Sequence, residues 1–231
     1  MTSSSKNAQT IKSSLYLIAI SVVMLVGLLL RPETIPRDTN QIVVNLTILA
    51  DIPNSVTAVI LGSRLFDTIG EVIVFTVAGL GVKILLTDER SESSLKGIQD
   101  PVIILLLDFV ALLCAFLAVE LAIRGHITPG GGFAAGVAGA TSVTLLMITG
   151  RLKLIEDYYS HSNAAIVEKL AVVAFIVIAI MSFASIIYPL SPFSWIPQNI
   201  YIPILNVVAG LKVTIGAWSV IRLFINKRGI I

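Results

Sequence analysis

The sequence predicts an all-α polytopic membrane protein, a bundle of about six transmembrane helices with both termini cytoplasmic. Three observations carry this expectation. The 231-residue chain is 56% hydrophobic and only 13% charged, with a mean hydropathy of +0.94, whereas an ordinary soluble domain carries about a quarter charged residues. Apolar runs approaching the roughly 20 residues needed to cross a bilayer recur along it, bounded by charge. Basic residues segregate to alternate loops, as the positive-inside rule requires. The lone cysteine, Cys114, lies in an apolar run, so neither an internal disulfide nor a cysteine cluster for a metal or iron–sulfur centre is available. Redox chemistry would belong to a partner. The net charge of +2, spread along the chain, gives no reason to expect a nucleic-acid partner.

The expected spans follow in order. Leu15 to Leu30 is flanked by Lys12 and Arg31; it begins like a signal peptide, but "RPETIPRD" supplies no small-residue cleavage site, so a retained anchor is expected. Phe66 to Leu86, Val102 to Ile123, Phe133 to Ile148, Val167 to Ile187 and Pro203 to Ile225 complete the set. The first ten residues, "MTSSSKNAQT", read as a disordered tail, and no internal repeat is visible. With both termini inside, the cytoplasmic set is Lys6, Lys12, Lys83, Arg90, Lys96, Arg151, Lys153, Lys169, Arg222, Lys227 and Arg228, against Arg31, Arg37, Arg64 and Arg124 outside. The loop between the last two spans has no Lys or Arg; its Tyr188, Trp195 and Tyr201 suit an interfacial aromatic belt. Residues 55–61, apolar but too short to cross, are expected as a short helix lying in the interface or dipping into the bundle, broken by Gly62.

Ionisable residues within spans are costly and so mark function or assembly. Lys212 lies close to the middle of its span and cannot easily snorkel. It is either paired for assembly or part of a proton or ion path. Asp108 lies about two turns into the third span, above an alanine stripe of Ala111, Ala115, Ala118 and Ala122 suited to close packing; Lys212 is one partner it could meet. Asp67 and Glu71 are four apart at the start of the second span. Together they suit a hydrated cation or a proton relay; alternatively Asp67 caps the helix and Glu71 pairs with Arg64 or with another subunit. Lys83, Glu120 and Arg124 sit at span ends, and Glu120 and Arg124 are spaced to pair.

Between the third and fourth spans lies "GHITPGGGF". No Lys follows Gly132, as a Walker loop would require, and a bundle offers no βαβ unit for a dinucleotide fingerprint. Pro129 halts the helix, and Gly130, Gly131 and Gly132 allow a tight turn back into the membrane. Ala135, Gly136, Gly139 and Ala140 then extend a small-residue face. His126 suits a hydrogen bond in the turn or proton handling at its mouth; without a second ligand nearby it is poor evidence for a metal.

The stretch "RGHITPGGGFAAG" resembles the hallmark of the MnhB/MrpB family, which supplies one of the membrane subunits of the Mrp-type multisubunit sodium/proton antiporters, at Gly125, His126, Pro129, Gly130, Gly131, Gly132, Phe133 and Gly136; "LNVVAGLKVTIGA" around Lys212 is similar to that family's last helix. The resemblance runs over roughly residues 95 to 228. A separate segment, residues 54–82, resembles one that ends the antiporter's large subunit, or stands as a small separate subunit in membrane-bound hydrogenases and sulfane-sulfur reductases. Asn54, Val56, Thr57, Arg64, Phe66, Asp67, Thr68, Gly70 and Glu71 carry that match, with Leu65 at a usual Gly and Gly62 where Asp is common.

The resemblance implies a fused organisation: a tail (1–14), a two-span segment (15–90) similar to the end of the large subunit, and a four-span MnhB-like domain (95–231). It further implies an accessory membrane subunit of a cation/proton antiporter module in a multisubunit complex, handling Na+ and H+ as transported ions. It would bind no cofactor itself. Its partners would be other Mrp-type membrane subunits, a hydrogenase or sulfur-reductase redox module, and the lipid bilayer. Covalent catalysis by this chain is not expected, since no Ser/His or Cys/His pairing stands out. The competing expectations are a purely structural subunit and a stand-alone small transporter; the latter lacks the repeat symmetry such proteins show.

Overall fold

The computed structural model describes residues 39–87, 98–188 and 192–228, together with 21, 22, 25, 89 and 190. The tail over 1–14 and most of the span expected over Leu15 to Leu30 fall outside these residues; Ser21, Val22 and Leu25 are helical.

Every regular element among the described residues is helical. In chain order they are α1 (Thr39–Ala50), α2 (Ser55–Ala58) running into a π-helical turn (Val59–Ser63), α3 (Leu65–Leu85), α4 (Pro101–Arg124), α5 (Gly131–Leu146) with a π-helical turn (Met147–Arg151), α6 (Leu152–His161), α7 (Ala164–Ile187), a 3₁₀ turn (Pro192–Trp195) and α8 (Gln198–Arg228). Five described stretches are long and apolar enough to span a bilayer: α3, α4, α5 with α6, α7 and α8. A sixth arises if α1 and the α2 segment, bent by 81° to each other, form one broken span. Residues Asn40–Ile231 make one compact unit.

α8 is the centre of the bundle, packing against α3, α4, α5 and α7. Its seam with α5 is close because small residues leave the backbones bare. A Cβ on Gly132 would strike the Asn206 carbonyl, one on Gly136 would strike Val213, and one on Gly139 would lie 2.6 Å from the Thr214 hydroxyl. Thr214 Oγ1 in turn donates to the carbonyls of Gly210 (2.8 Å) and Gly136 (3.3 Å). The alanine stripe of α4 faces inward at Ala111, which is buried and whose carbonyl accepts from Ser142 Oγ at 2.7 Å. α4 starts where Asp100 accepts from the amides of Val102 and Ile103, with Pro101 as the first helical residue, the arrangement that satisfies otherwise orphaned donors.

Several elements differ from the sequence expectation. The helix that begins at Ser55 does not break at Gly62; it widens into the π turn and ends at Arg64 (φ −109°, ψ 21°). α1 was not expected, because its apolar stretch of ten or so residues is too short to count as a span. The fourth span bends at Gly150, where φ is +88°, and continues as α6, an amphipathic helix that buries Ile155 and Tyr159 on one face. α8 begins at Gln198 rather than Pro203; a proline this close to a helix start forfeits one backbone hydrogen bond without ending the helix. Trp195 and Tyr188 are exposed as a belt requires, but Tyr201 is buried, its hydroxyl donating to the Phe193 carbonyl at 3.1 Å. A polar partner within the chain satisfies that hydroxyl, so Tyr201 belongs to the packed interior.

Candidate functional site

The glycine loop is built from two distant parts of the sequence. Asn54 Nδ2 donates to the carbonyls of Gly125 (2.9 Å) and Thr128 (2.7 Å), Thr57 Oγ1 donates to Gly125 O at 2.7 Å, and the Asn54 amide donates to the His126 carbonyl at 3.3 Å. Asn54 Oδ1 meanwhile accepts from the Val56 and Thr57 amides, capping α2. From the other side Asn206 Nδ2 donates to the carbonyls of Leu121 and Ala122. These lie in the last turn of α4, where carbonyls lack helical partners. Gly130 (φ +142°) and Gly131 (φ +85°) adopt backbone that other residues rarely reach.

The loop, α2, α3 and α8 enclose a cavity of about 360 Å³. Its polar lining includes Asn54, Arg64, Asp67, Glu71 and Asn206; Pro129 to Phe133, Phe75, Ala209 and Val213 supply much of the rest. Asp67 is held by Arg64, whose Nε donates to it at 2.7 Å, with both side chains exposed. Asp67 therefore does not cap α3, whose N-cap residue is Arg64 and lacks a side-chain cap. Glu71 has no hydrogen-bond or ion-pair partner among the described residues. It lies about two turns into α3, deep enough that a bare carboxylate facing lipid would be costly. The buried amide of Asn206 leaves its Oδ1 unpartnered, close to Gly131. His126 lies outside the cavity lining; its Nδ1 is buried and unpartnered, and its backbone carbonyl serves the turn. No group of three or more His, Cys, Asp or Glu side chains suited to a metal ion occurs among the described residues.

Lys212 stands near the middle of α8, fully buried, between two apolar core clusters that meet α8 through Ala209 on one side and Ile215 on the other. Its Nζ has no hydrogen-bond partner and lies 3.9 Å from the centroid of the Phe75 ring. A desolvated cation–π contact supplies about 2 kcal/mol, less than the several kcal/mol that burying the charge costs. The ammonium thus keeps an unmet demand for a polar partner. Glu168 of α7 interacts with it electrostatically. Glu168 Oε1 and Phe75 Cε1 both occupy the notch at Gly216, 2.9 and 2.8 Å from where a Cβ would stand.

Asp108 is not near this group. Arg151 grips it through two hydrogen bonds, of 3.0 and 2.7 Å, and Thr149 Oγ1 donates to it at 3.2 Å. The pair joins α4 to the kink that follows α5. Glu120 and Arg124 pair at 3.1 Å as their spacing suggested.

The structure therefore places Glu71 and Phe75 in one cavity lining, Phe75 against Lys212, and Phe75 beside Glu168 at Gly216, and leaves Asp108 in a separate ion pair. The sequence reading did not single out Glu168, which stands beside Lys169 at the start of the span expected from Val167; α7 begins earlier, at Ala164, so Glu168 lies a full turn inside. Phe75 carried no signal distinguishing it from a core residue, whereas Asn206 did carry one that was not used, a polar amide in an apolar span, which seeks a partner on a neighbouring helix.

Residues 102–219 match the model of a family described as a domain related to the MnhB subunit of Na+/H+ antiporter. The chain is similar to an uncharacterized protein of Methanocaldococcus jannaschii, MJ1307, with 28% identity over 197 residues that cover 71% of this chain and 74% of the relative. It shares its fold with a chain of the membrane-bound sulfane sulfur reductase, an archaeal respiratory membrane complex: the TM-score is 0.65 over 95% of this chain and 99% of the other, at 21% identity.

Proposed function

We infer that this chain, which belongs to the family of domains related to the MnhB subunit of Na+/H+ antiporters, works as an accessory subunit of a cation/proton antiporter module and contributes ionisable side chains to its translocation path. The observation that carries this reading is Lys212: a fully buried cation halfway along the central helix with no hydrogen-bond partner among the described residues. A lysine retained for assembly would be paired, because an uncompensated buried charge costs several kcal/mol. A lysine that exchanges protons needs to be left free to change partners.

In this reading Glu71 receives protons or a hydrated sodium ion from the cavity, and Lys212 passes charge onward with Glu168 on its far side. Asp67, clamped by Arg64, shapes the electrostatics of the mouth, and His126 stands beside it. The basic-residue count would place that mouth outside the cell. The transported ions are Na+ and H+, and the chain holds no cofactor of its own. Segment 54–82 acts as a fused counterpart of the end of the antiporter's large subunit, which fits its hydrogen bonds to the glycine loop. Its partners are other antiporter-type membrane subunits, and the fold shared with a chain of an archaeal respiratory complex supports a redox module such as a sulfur reductase.

The test is purification of the tagged chain with its partners from native membranes, identification of those partners by mass spectrometry, and reconstitution into vesicles. Lys212→Met and Glu71→Gln are expected to lower sodium-dependent proton movement by about tenfold or more while the complex still assembles. Normal transport in both variants would reduce the chain to a scaffold, a reading that the tight α5–α8 seam serves equally well. Transport by the isolated chain would make it a stand-alone transporter.

A further inference from the structure

The cavity reaches α8 on both sides of Lys212 yet does not include it. Ala209 and Val213 line the cavity, while Lys212 is fully buried. What intervenes is Phe75. Its ring lines the cavity one helical turn beyond Glu71, lies against the Lys212 ammonium at 3.9 Å, and meets the ring of Phe133 edge-on at 6.5 Å. Its Cε1 fits the space left by Gly216, beside the Glu168 carboxylate.

We propose that Phe75 is the seal of this path: the aromatic ring, held by Lys212, keeps water in the cavity from reaching the Lys212–Glu168 pair, and its displacement joins the two halves. The assignment rests on the path proposed above, but its observable is different. Three features support it. The ring is apolar, so water that carries protons cannot cross it in this position. Its hold on the ammonium is electrostatic and so responds to the charge on Lys212. Its seat depends on a glycine, since any side chain at 216 would meet both the ring and the carboxylate. Phe133, the last residue of the "GHITPGGGF" stretch, braces the ring from the loop side and thereby connects the loop to the seal.

The experiment is decay of an imposed pH gradient, without sodium and without any energy source, in vesicles holding the complex purified through the tagged chain. Phe75→Ala is expected to accelerate the decay by about thirtyfold, the scale of losing a desolvated cation–π contact. Phe75→Leu, which keeps the bulk and loses the π face, should fall between Phe75→Ala and the native protein. Adding Lys212→Met to Phe75→Ala should return the decay to the native rate, because the route through the pair is gone. Co-purification of the partner subunits reports assembly; if Phe75→Ala fails to assemble, Phe75→Leu decides. A gradient as durable in these variants as in the native complex would overturn the seal, and so would a leak that survives Lys212→Met, which would make the ring mere packing. The path itself fails separately, if Lys212→Met alone leaves sodium-driven exchange intact.

Discussion

Two charges sit inside the same bundle under opposite conditions. Asp108 lies partly exposed in α4 and is bound by both terminal nitrogens of Arg151 and by Thr149. Lys212 lies fully buried in α8 and is offered an aromatic ring and a neighbouring carboxylate that makes no ion-pair contact with it. A bidentate arginine clamp fixes geometry as well as charge, so Asp108 fastens α4 to the kink after α5. Lys212 has no such clamp. The difference teaches that depth alone does not make an intramembrane charge functional; what counts is whether its partners are already committed.

The sharpest way to break the comparison is to exchange the effects. Lys212→Met should cut sodium-dependent proton transport by about tenfold or more without lowering thermal stability in detergent, because removing a buried charge in favour of an apolar side chain of similar volume is often neutral or stabilising. A fall in stability at unchanged transport would mean that Lys212, like Asp108, is an assembly group. Asp108→Asn should do the reverse: a loss of about 1–3 kcal/mol, seen as a lower melting temperature, as Arg151 loses its charged partner, with transport per assembled complex within about twofold of native. The double variant Asp108→Asn with Arg151→Met should recover part of that loss, the coupling expected of neighbours.

Two further changes sharpen the frame in which both charges sit. Asn54→Ala removes the donor to two loop carbonyls and should cost about 1–3 kcal/mol, read as earlier melting; an unchanged melting point would show that the loop holds its shape without segment 54–57. Arg64→Ala, which frees Asp67 at an exposed position, should change stability by only about 0–1 kcal/mol. A larger loss would place that pair in a contact with a partner subunit.

Much of the fold was legible. The spans over α3, α4 and α7 follow from runs of apolar residues, because hydrocarbon demands both length and internal hydrogen bonding. The small-residue face of α5 foretold a close neighbour, and the glycine loop foretold its turn. Less legible were the places where helices stop being regular. The π turn before Arg64 and the bend at Gly150 depend on what packs against them, and α6 and α1 are too short to register as spans. The candidate site was legible in its charges and hidden in its pairings. Glu71, Lys212 and Asp108 stand out as ionisable residues among apolar ones, whereas Glu168 was disguised by its neighbour Lys169, and Phe75 by being one phenylalanine among nine.

By itself the sequence determined that this chain lives in a membrane, where α3, α4, α5 with α6, α7 and α8 have the length and apolarity to cross it, and which few side chains would pay a desolvation cost there. It also carried the glycine hallmark that the family match bears out. Only the tertiary structure decided that Arg151 takes Asp108, that Asn54 and Thr57 bind the loop, and that Phe75 stands between a cavity and Lys212. The physical reason is that the cost of an intramembrane charge is set by the residue and its depth, both read along the chain, while its relief comes from whichever side chain a neighbouring helix brings within a few ångströms.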